Sequence, residues 1–250
     1  MKQAQNGCVP EGALSGHIDG CGLAYVAGEQ IKLIRRGRTD VWDETFVAAV
    51  RQVRCQLAIA HNRKASPQLK SDNLRSEHAH PFTSSFGATQ IAFCHNGTIG
   101  ALTDRANRAN VTDSQIFLEA LLKDLPRLDA GDLAQRVNDL ARQYAETSEK
   151  YTSLTALLLS PSHLFGWRLY RPDSPPDWYD RYYTLWLERS EDRIVVASEP
   201  VDQLDREPTG AGNGWELLAN GKFFAISFDR GHLDVQIRDM PLEIEESLRD

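Results

Sequence analysis

The 250-residue chain is 41% hydrophobic and 25% charged, with a formal charge of −7, the make-up of a soluble globular protein able to bury a substantial core. That charge argues against a nucleic-acid or anionic-membrane surface, and no apolar run reaches the roughly 18 residues of a membrane-spanning helix. The four cysteines (Cys8, Cys21, Cys55, Cys94) form no CxxC pair, and Met1 to Gly7 is polar, which predicts reduced thiols in a cytoplasmic protein without a signal peptide.

Asn6–Gly12 reads as loop, and His17-Ile-Asp-Gly-Cys-Gly22 as a glycine-rich turn entering a strand. Leu23–Val26 and Gln30–Ile34 predict a hairpin around Ala27-Gly-Glu. From Asp43 the spacing of Phe46, Val47, Val50 and Val53 turns helical, and Gln56–His61 is a short apolar strand. Ser66 to Ser85 reads as mostly irregular. Ile91–Asn96 is a strand, Thr112 is an N-cap for a helix to about Leu125, and Asp129 or Asp132 opens a second helix. In that helix Leu133, Val137, Leu140, Ala141 and Tyr144 share a face. Strands follow at Leu154–Leu159, His163–Tyr170, Tyr182–Glu188, Arg193–Ser198, Lys222–Ser227 and Leu233–Arg238. Pro172–Trp178 and Asp205–Asn213 are connectors between them. This order predicts one α+β domain of antiparallel sheets with packed helices, spanning residues 1–250, with 1–16 atypical.

The pivotal stretch is Ile91-Ala-Phe-Cys-His-Asn-Gly97. Asn-Gly most simply makes a hairpin turn. It also places a side-chain amide beside a glycine N–H at a strand end, two neutral donors suited to an oxyanion in acyl transfer. Its neighbours are His17-x-Asp-Gly-x-Gly22, Ala60-His-Asn-Arg63-x-Ala-Ser66, His78-Ala-His-Pro-Phe82 and Thr112-Asp-Ser114. Taken singly, Arg63 is an ordinary surface ion-pair residue, Asp113 offsets a helix dipole, and His80 packs a loop.

In this order and spacing the motifs resemble the class II, N-terminal-nucleophile glutamine amidotransferases, closest to the subgroup not fused to a synthase. Tyr182-Tyr-Thr-Leu-Trp and Val195-Val-Ala-Ser-Glu-Pro200 extend the likeness through the C-terminal half. The resemblance implies a four-layer αββα sandwich. It also implies that Arg63 grips the α-carboxylate of a glutamine or γ-glutamyl amide, a planar fork meeting a carboxylate. Asp113 would take the α-ammonium, Asn96 and Gly97 would form the oxyanion hole, and His80 and His95 would shape the pocket rather than exchange protons. His17, Asp19 and Gly20 would border it structurally. The implied reaction cleaves the amide through a cysteine thioester without cofactor or metal, and any ammonia-using or regulatory partner would be a separate chain.

The family's nucleophile is a cysteine exposed by removal of the initiator Met, with its own α-amino group as base. Here Lys2 follows Met1, and Cys8 lies only eleven positions before Asp19 in a loop-like context. At about 3.3 Å per extended residue that leaves too little chain for the family's first strand and helix, so Cys8 is a poor candidate. The expectation is a sandwich lacking its first strand in the sequence as it stands. A start site set downstream of the true one is favoured over genuine loss of the nucleophile, because a chain that only binds has no use for an oxyanion hole. The other readings are a γ-glutamyl or amino-acid binding module using Arg63 and Asp113, and a metal-dependent hydrolase built on His61, His78, His80 and His95. For the last, no supporting carboxylates stand at suitable spacing.

Overall fold

The computed structural model describes residues 16–38, 44–65, 75–172, 179–200, 214–229 and 232–240. Cys8, Ser66 and most of the two predicted connectors lie outside these. Strands β1 (Gly20–Ala27) and β2 (Gln30–Gly37) form the expected hairpin, with Gly28 at φ +64°, a turn conformation that favours glycine. Helix α1 (Glu44–Gln52) packs on β2 and buries Phe46. β3 (Ala58–Asn62) pairs with the other side of β1, giving a sheet of order β2–β1–β3.

The stretch expected to be irregular is partly built. Ser76–His78 forms a 3-10 turn, and β4 (Phe82–Phe86) pairs antiparallel with β5 (Thr89–Asn96). Its alternation, with Phe82 buried and Thr83 and Ser85 exposed, was legible as an edge strand. Beyond β5 come helices α2 (Gly100–Ala109), α3 (Asp113–Leu122) and α4 (Ala130–Ala145). Both predicted caps operate. Thr112 Oγ1 accepts from Gln115 N while Gln115 Oε1 accepts from Thr112 N, and Asp129 accepts from Gly131 N and Asp132 N; such boxes satisfy otherwise orphaned N–H groups. Helix α2 was not predicted, since it buries only Ala106 and shows no apolar stripe.

β6 (Thr155–Leu159), β7 (His163–Arg168), β11 (Lys222–Asp229) and β12 (His232–Asp239) complete a six-stranded sheet of order β12–β11–β7–β6–β5–β4. A short helix α5 (Tyr179–Tyr182) precedes β8 (Trp186–Arg189), which carries β9 (Ile194–Ala197) and β10 (Trp215–Leu217) on its flanks. The predicted strand Tyr182–Glu188 therefore begins four residues late. Arg168 accounts for the shift, because its guanidinium donates to the carbonyls of Asp180, Tyr183 and Leu218 at 2.6–2.7 Å, drawing the chain there into a turn.

Every strand pair described is antiparallel. One face of the six-stranded sheet packs against α3 and α4 through Phe93, Phe117, Leu133, Val137, Tyr144, Trp167 and Phe223. The other face packs against the three-stranded sheets, joining Ala92, Cys94, Leu159 and Phe224 to Ala24, Ile59, Leu185 and Leu218. Alternation along β5 divides its residues between these two cores, Ile91 and Phe93 to the helices, Ala92 and Cys94 to the gap between sheets. With α1 on β2, the layers run helix, sheet, sheet, helix.

Candidate active site

Four chain ends meet at one end of the sandwich. The start of β1 pairs with the end of β3 (Cys21 opposite Asn62), and the end of β5 pairs with the start of β6 (Asn96 opposite Thr155). The residues before β4 close over β1, where a side chain at Gly22 would run into the His80 carbonyl and approach Pro81 Cδ to 2.9 Å. Gly22 is thus required by a close backbone approach rather than by its turn.

Arg63 continues β3 by one residue and is almost fully buried. It shares a face with Ile59 and His61 by strand alternation. Its backbone is clamped by Asp19. Asp19 N donates to Arg63 O at 2.9 Å, Arg63 N donates to Gly20 O at 2.7 Å, and Asp19 Oδ2 accepts from Ala65 N at 2.8 Å. Burial lowers the guanidinium pKa, and nearby Asp19 and Asp113 oppose that. Asp19, expected only to border the pocket, therefore builds the Arg63 loop and supplies charge to it.

Asn96 and Gly97 are half-buried where β5 leaves the sheet, and the chain runs on into α2 rather than folding back as a hairpin. Alternation puts Asn96 on the inter-sheet face with Ala92 and Cys94. A Cβ at Gly97 would collide with the Ser153 carbonyl and come within 2.9 Å of His95 Nε2. Thr98 is held by a reciprocal pair, its N–H donating to Thr152 Oγ1 at 3.0 Å and its carbonyl accepting from Thr152 N at 2.9 Å. Tyr183 in turn donates its hydroxyl to Thr152 Oγ1 at 2.9 Å. Among the described residues neither the Asn96 amide nor the Gly97 N–H has a hydrogen-bond partner.

Asp113 heads α3, nearly fully buried. Its Oδ2 accepts from Ile99 N at 2.8 Å and its Oδ1 from Ser114 N at 2.9 Å. The carboxylate is thereby tied to the turn two residues after Gly97.

The histidines lie behind these groups. His80 is buried against the rings of His61 and Phe82, both 4.4 Å away centre to centre. Neither ring nitrogen of His80 nor Nδ1 of His61 has a hydrogen-bond partner among the described residues. Burial first, and then surrounding positive groups, push His80 well below the ordinary range and His61 down to about 3. Both shifts favour the neutral rings. His78 does not share a strand face with His80; it sits in the 3-10 turn with Nε2 3.1 Å from Asn110 O. Among the described residues no group of three or more His, Cys, Asp and Glu side chains is arranged to hold a metal ion.

None of the three described cysteines adjoins the donors in a reactive state. Cys94 is sealed in the inter-sheet core, where burial pushes its thiol up to about 12. Cys55 is exposed after α1, and Cys21 points to the face of β1 opposite that of Gly22.

The sequence model of the glutamine amidotransferases class-II matches residues 5–168 of the chain. The chain belongs to the class-II glutamine amidotransferases. Among solved structures it is similar to a glutamine aminotransferase class-II domain protein from Silicibacter pomeroyi, with 21% identity and TM-score 0.57 over 89% of this chain and 91% of that one. It is also similar to the predicted glutamine amidotransferase from Pseudomonas aeruginosa PA01, with 16% identity and TM-score 0.52 over 89% and 90%. The glutamine phosphoribosylpyrophosphate amidotransferase from B. subtilis gives 16% identity and TM-score 0.57 over 87% of this chain but 42% of its own. At these identities the likeness is one of fold, that of the N-terminal-nucleophile amidotransferases. Comparison with curated proteins finds no match. Among the described residues no helix is long and apolar enough to cross a membrane.

Proposed function

We propose that this class-II amidotransferase domain binds glutamine or another γ-glutamyl amide and cleaves it through a cysteine thioester, releasing glutamate and ammonia or an amine. The observation that carries the reading is the convergence of a buried arginine, a buried aspartate and an uncommitted Asn–Gly donor pair at one end of the sandwich. Arg63 matches the α-carboxylate, Asp113 the α-ammonium, and a γ-carbonyl held between them and β5 meets Asn96 and Gly97. As the sulfur attacks, the carbonyl oxygen gains negative charge, which two fixed donors stabilise by about 3 kcal/mol each in such sites. His80 forms part of the pocket wall. The protein works in the cytoplasm, and an ammonia-consuming or regulatory subunit is its proposed partner.

The state of the described cysteines favours a second reading, a binding module for γ-glutamyl or amino-acid ligands, since Cys94 is sealed in the core with its thiol pushed up, Cys55 is exposed after α1 and Cys21 is on the face of β1 opposite that of Gly22. One experiment separates the two. The native chain is incubated with a γ-diazoketone analogue of glutamine, mapped by mass spectrometry, and assayed for glutamate release from several γ-glutamyl amides. A single labelled cysteine with glutamate release supports the enzyme. Glutamate binding by calorimetry, lost in Arg63→Ala, without label or turnover supports the binding module. Absence of both binding and turnover overturns the site itself.

A further inference from the structure

His95 belongs to neither ligand contact, yet its ring touches both halves of the site. Nε2 lies 2.9 Å from the Ser153 carbonyl oxygen and Nδ1 lies 2.9 Å from Ser114 Oγ, with all three residues buried. Phe117 packs edge-on against the ring at 5.4 Å. A carbonyl oxygen only accepts, so Nε2 carries a proton. In the neutral ring Nδ1 is then a lone pair, and the Ser114 hydroxyl must donate into it.

The two partners of the ring are the ones that matter to the site. The Ser153 carbonyl is the surface against which Gly97 is packed, so closely that no side chain fits between them. Ser114 follows Asp113 and has its oxygen 3.4 Å from Asp113 Oδ1. A serine hydroxyl has one proton. While that proton serves His95 it cannot serve Asp113, whose carboxylate keeps only the two backbone donors of Ile99 and Ser114. Lone pairs on the carboxylate stay open to an ammonium group.

We propose that His95 is a positioning residue that sets the oxyanion turn through the Ser153 carbonyl and, by holding the Ser114 proton, keeps Asp113 open for the ligand's α-ammonium. The second half rests on the γ-glutamyl reading above; the first does not. One side chain then couples the oxyanion donors to recognition of the amino group.

The test uses the full chain. Nitrogen-15 imidazole spectra at pH 7 show His95 as the neutral Nε2–H tautomer. In His95→Asn, which loses the reach to Ser153, the Gly97 amide resonance moves, whereas in His95→Gln, whose amide replaces the Nε2 donor, it stays. An Nδ1–H tautomer, or a Gly97 resonance indifferent to both changes, overturns the proposal, and the tautomer is read on the native chain whether or not the variants fold. Calorimetry then compares L-glutamate with its des-amino analogue glutarate. Freed from His95, the Ser114 hydroxyl in His95→Gln turns to Asp113, and the preference for glutamate falls about tenfold, as expected for one charged hydrogen bond. Adding Ser114→Ala restores it. Equal weakening of both ligands, or no rescue, overturns the Asp113 half. Failure of the native chain to bind glutamate removes the γ-glutamyl reading and with it that half, while the tautomer and the Gly97 shift still decide the other.

Discussion

Acid should destabilise this fold through the histidines behind the site. Unfolded, each imidazole takes up a proton near the ordinary 6.5, whereas folded His61 does so only near about 3 and His80 well below 6.5. Between those values the unfolded chain binds more protons than the folded one, so stability is complete above 6.5 and falls as pH falls. At pH 5, roughly 1.5 units below the unfolded value, the neutral His61 ring costs about 2 kcal/mol relative to pH 7, at about 1.4 kcal/mol per unit. His80, shifted the same way by burial, adds to this loss, against the ~5–15 kcal/mol that holds a domain together. His80→Phe isolates one share, because the ring sits between His61 and Phe82 with neither nitrogen bonded among the described residues. Urea unfolding followed by tryptophan fluorescence at pH 7 and pH 5 should show a smaller acid loss in the variant than in the native chain, with stability at pH 7 unchanged or raised. Carboxylate titration is common to both proteins and cancels. An identical acid loss in native and variant would refute the reasoning.

The other expectations follow from single contacts. Gly97→Ala forces the Ser153 carbonyl away and should lower stability by about 1–3 kcal/mol while abolishing glutamate release, read by urea unfolding and an amide-hydrolysis assay. Arg168→Met strips three carbonyls, those of Tyr183 and Leu218 buried, of their donor and should cost about 3–5 kcal/mol, with α5 lost first in hydrogen exchange. Thr112→Ala removes the cap of α3 and should cost about 1 kcal/mol and weaken glutamate binding, because Asp113 is the next residue; unchanged calorimetry would separate the cap from the site.

The parts of the fold legible in the sequence were those set by local rules. The α4 stripe of Leu133, Val137, Leu140, Ala141 and Tyr144 is buried throughout, because a helix facing a sheet must repeat its apolar residues near every 3.6 positions. The caps at Thr112 and Asp129 are likewise local. Helix α2 was not legible, since its order comes from what surrounds it: its first turn is tied by Asp113 to Ile99 and by Lys150 O to Ala101 N. The start of β8 was displaced by Arg168, distant in sequence from the carbonyls it binds. Within the site, Arg63, Asn96, Gly97 and Asp113 stood out because their motifs are contiguous. Ser114 was visible in Thr-Asp-Ser without a role, and Ser153 carried no signal at all, because its contribution is a backbone carbonyl that any residue possesses.

Charge explains why the site is arranged in this order. Arg63 loses hydration on burial, and Asp19 and Asp113 oppose the loss, but the two carboxylates are not equivalent. Asp19 is committed to the loop it organises, through Ala65 N and the ion pair with Arg38 at 3.8 Å. Asp113 accepts from two backbone N–H groups, with the Ser114 hydroxyl 3.4 Å from its Oδ1. Three neutral histidines add bulk without adding charge, since a protonated ring beside Arg63 would face repulsion in a medium of low dielectric. On the proposed reading, a zwitterion with its carboxylate at Arg63 and its ammonium at Asp113 would meet both buried charges at once. Because Asp113 also holds the Ile99 N–H, two residues past Gly97, the proposed ammonium contact and the proposed oxyanion donors would share one short stretch of backbone.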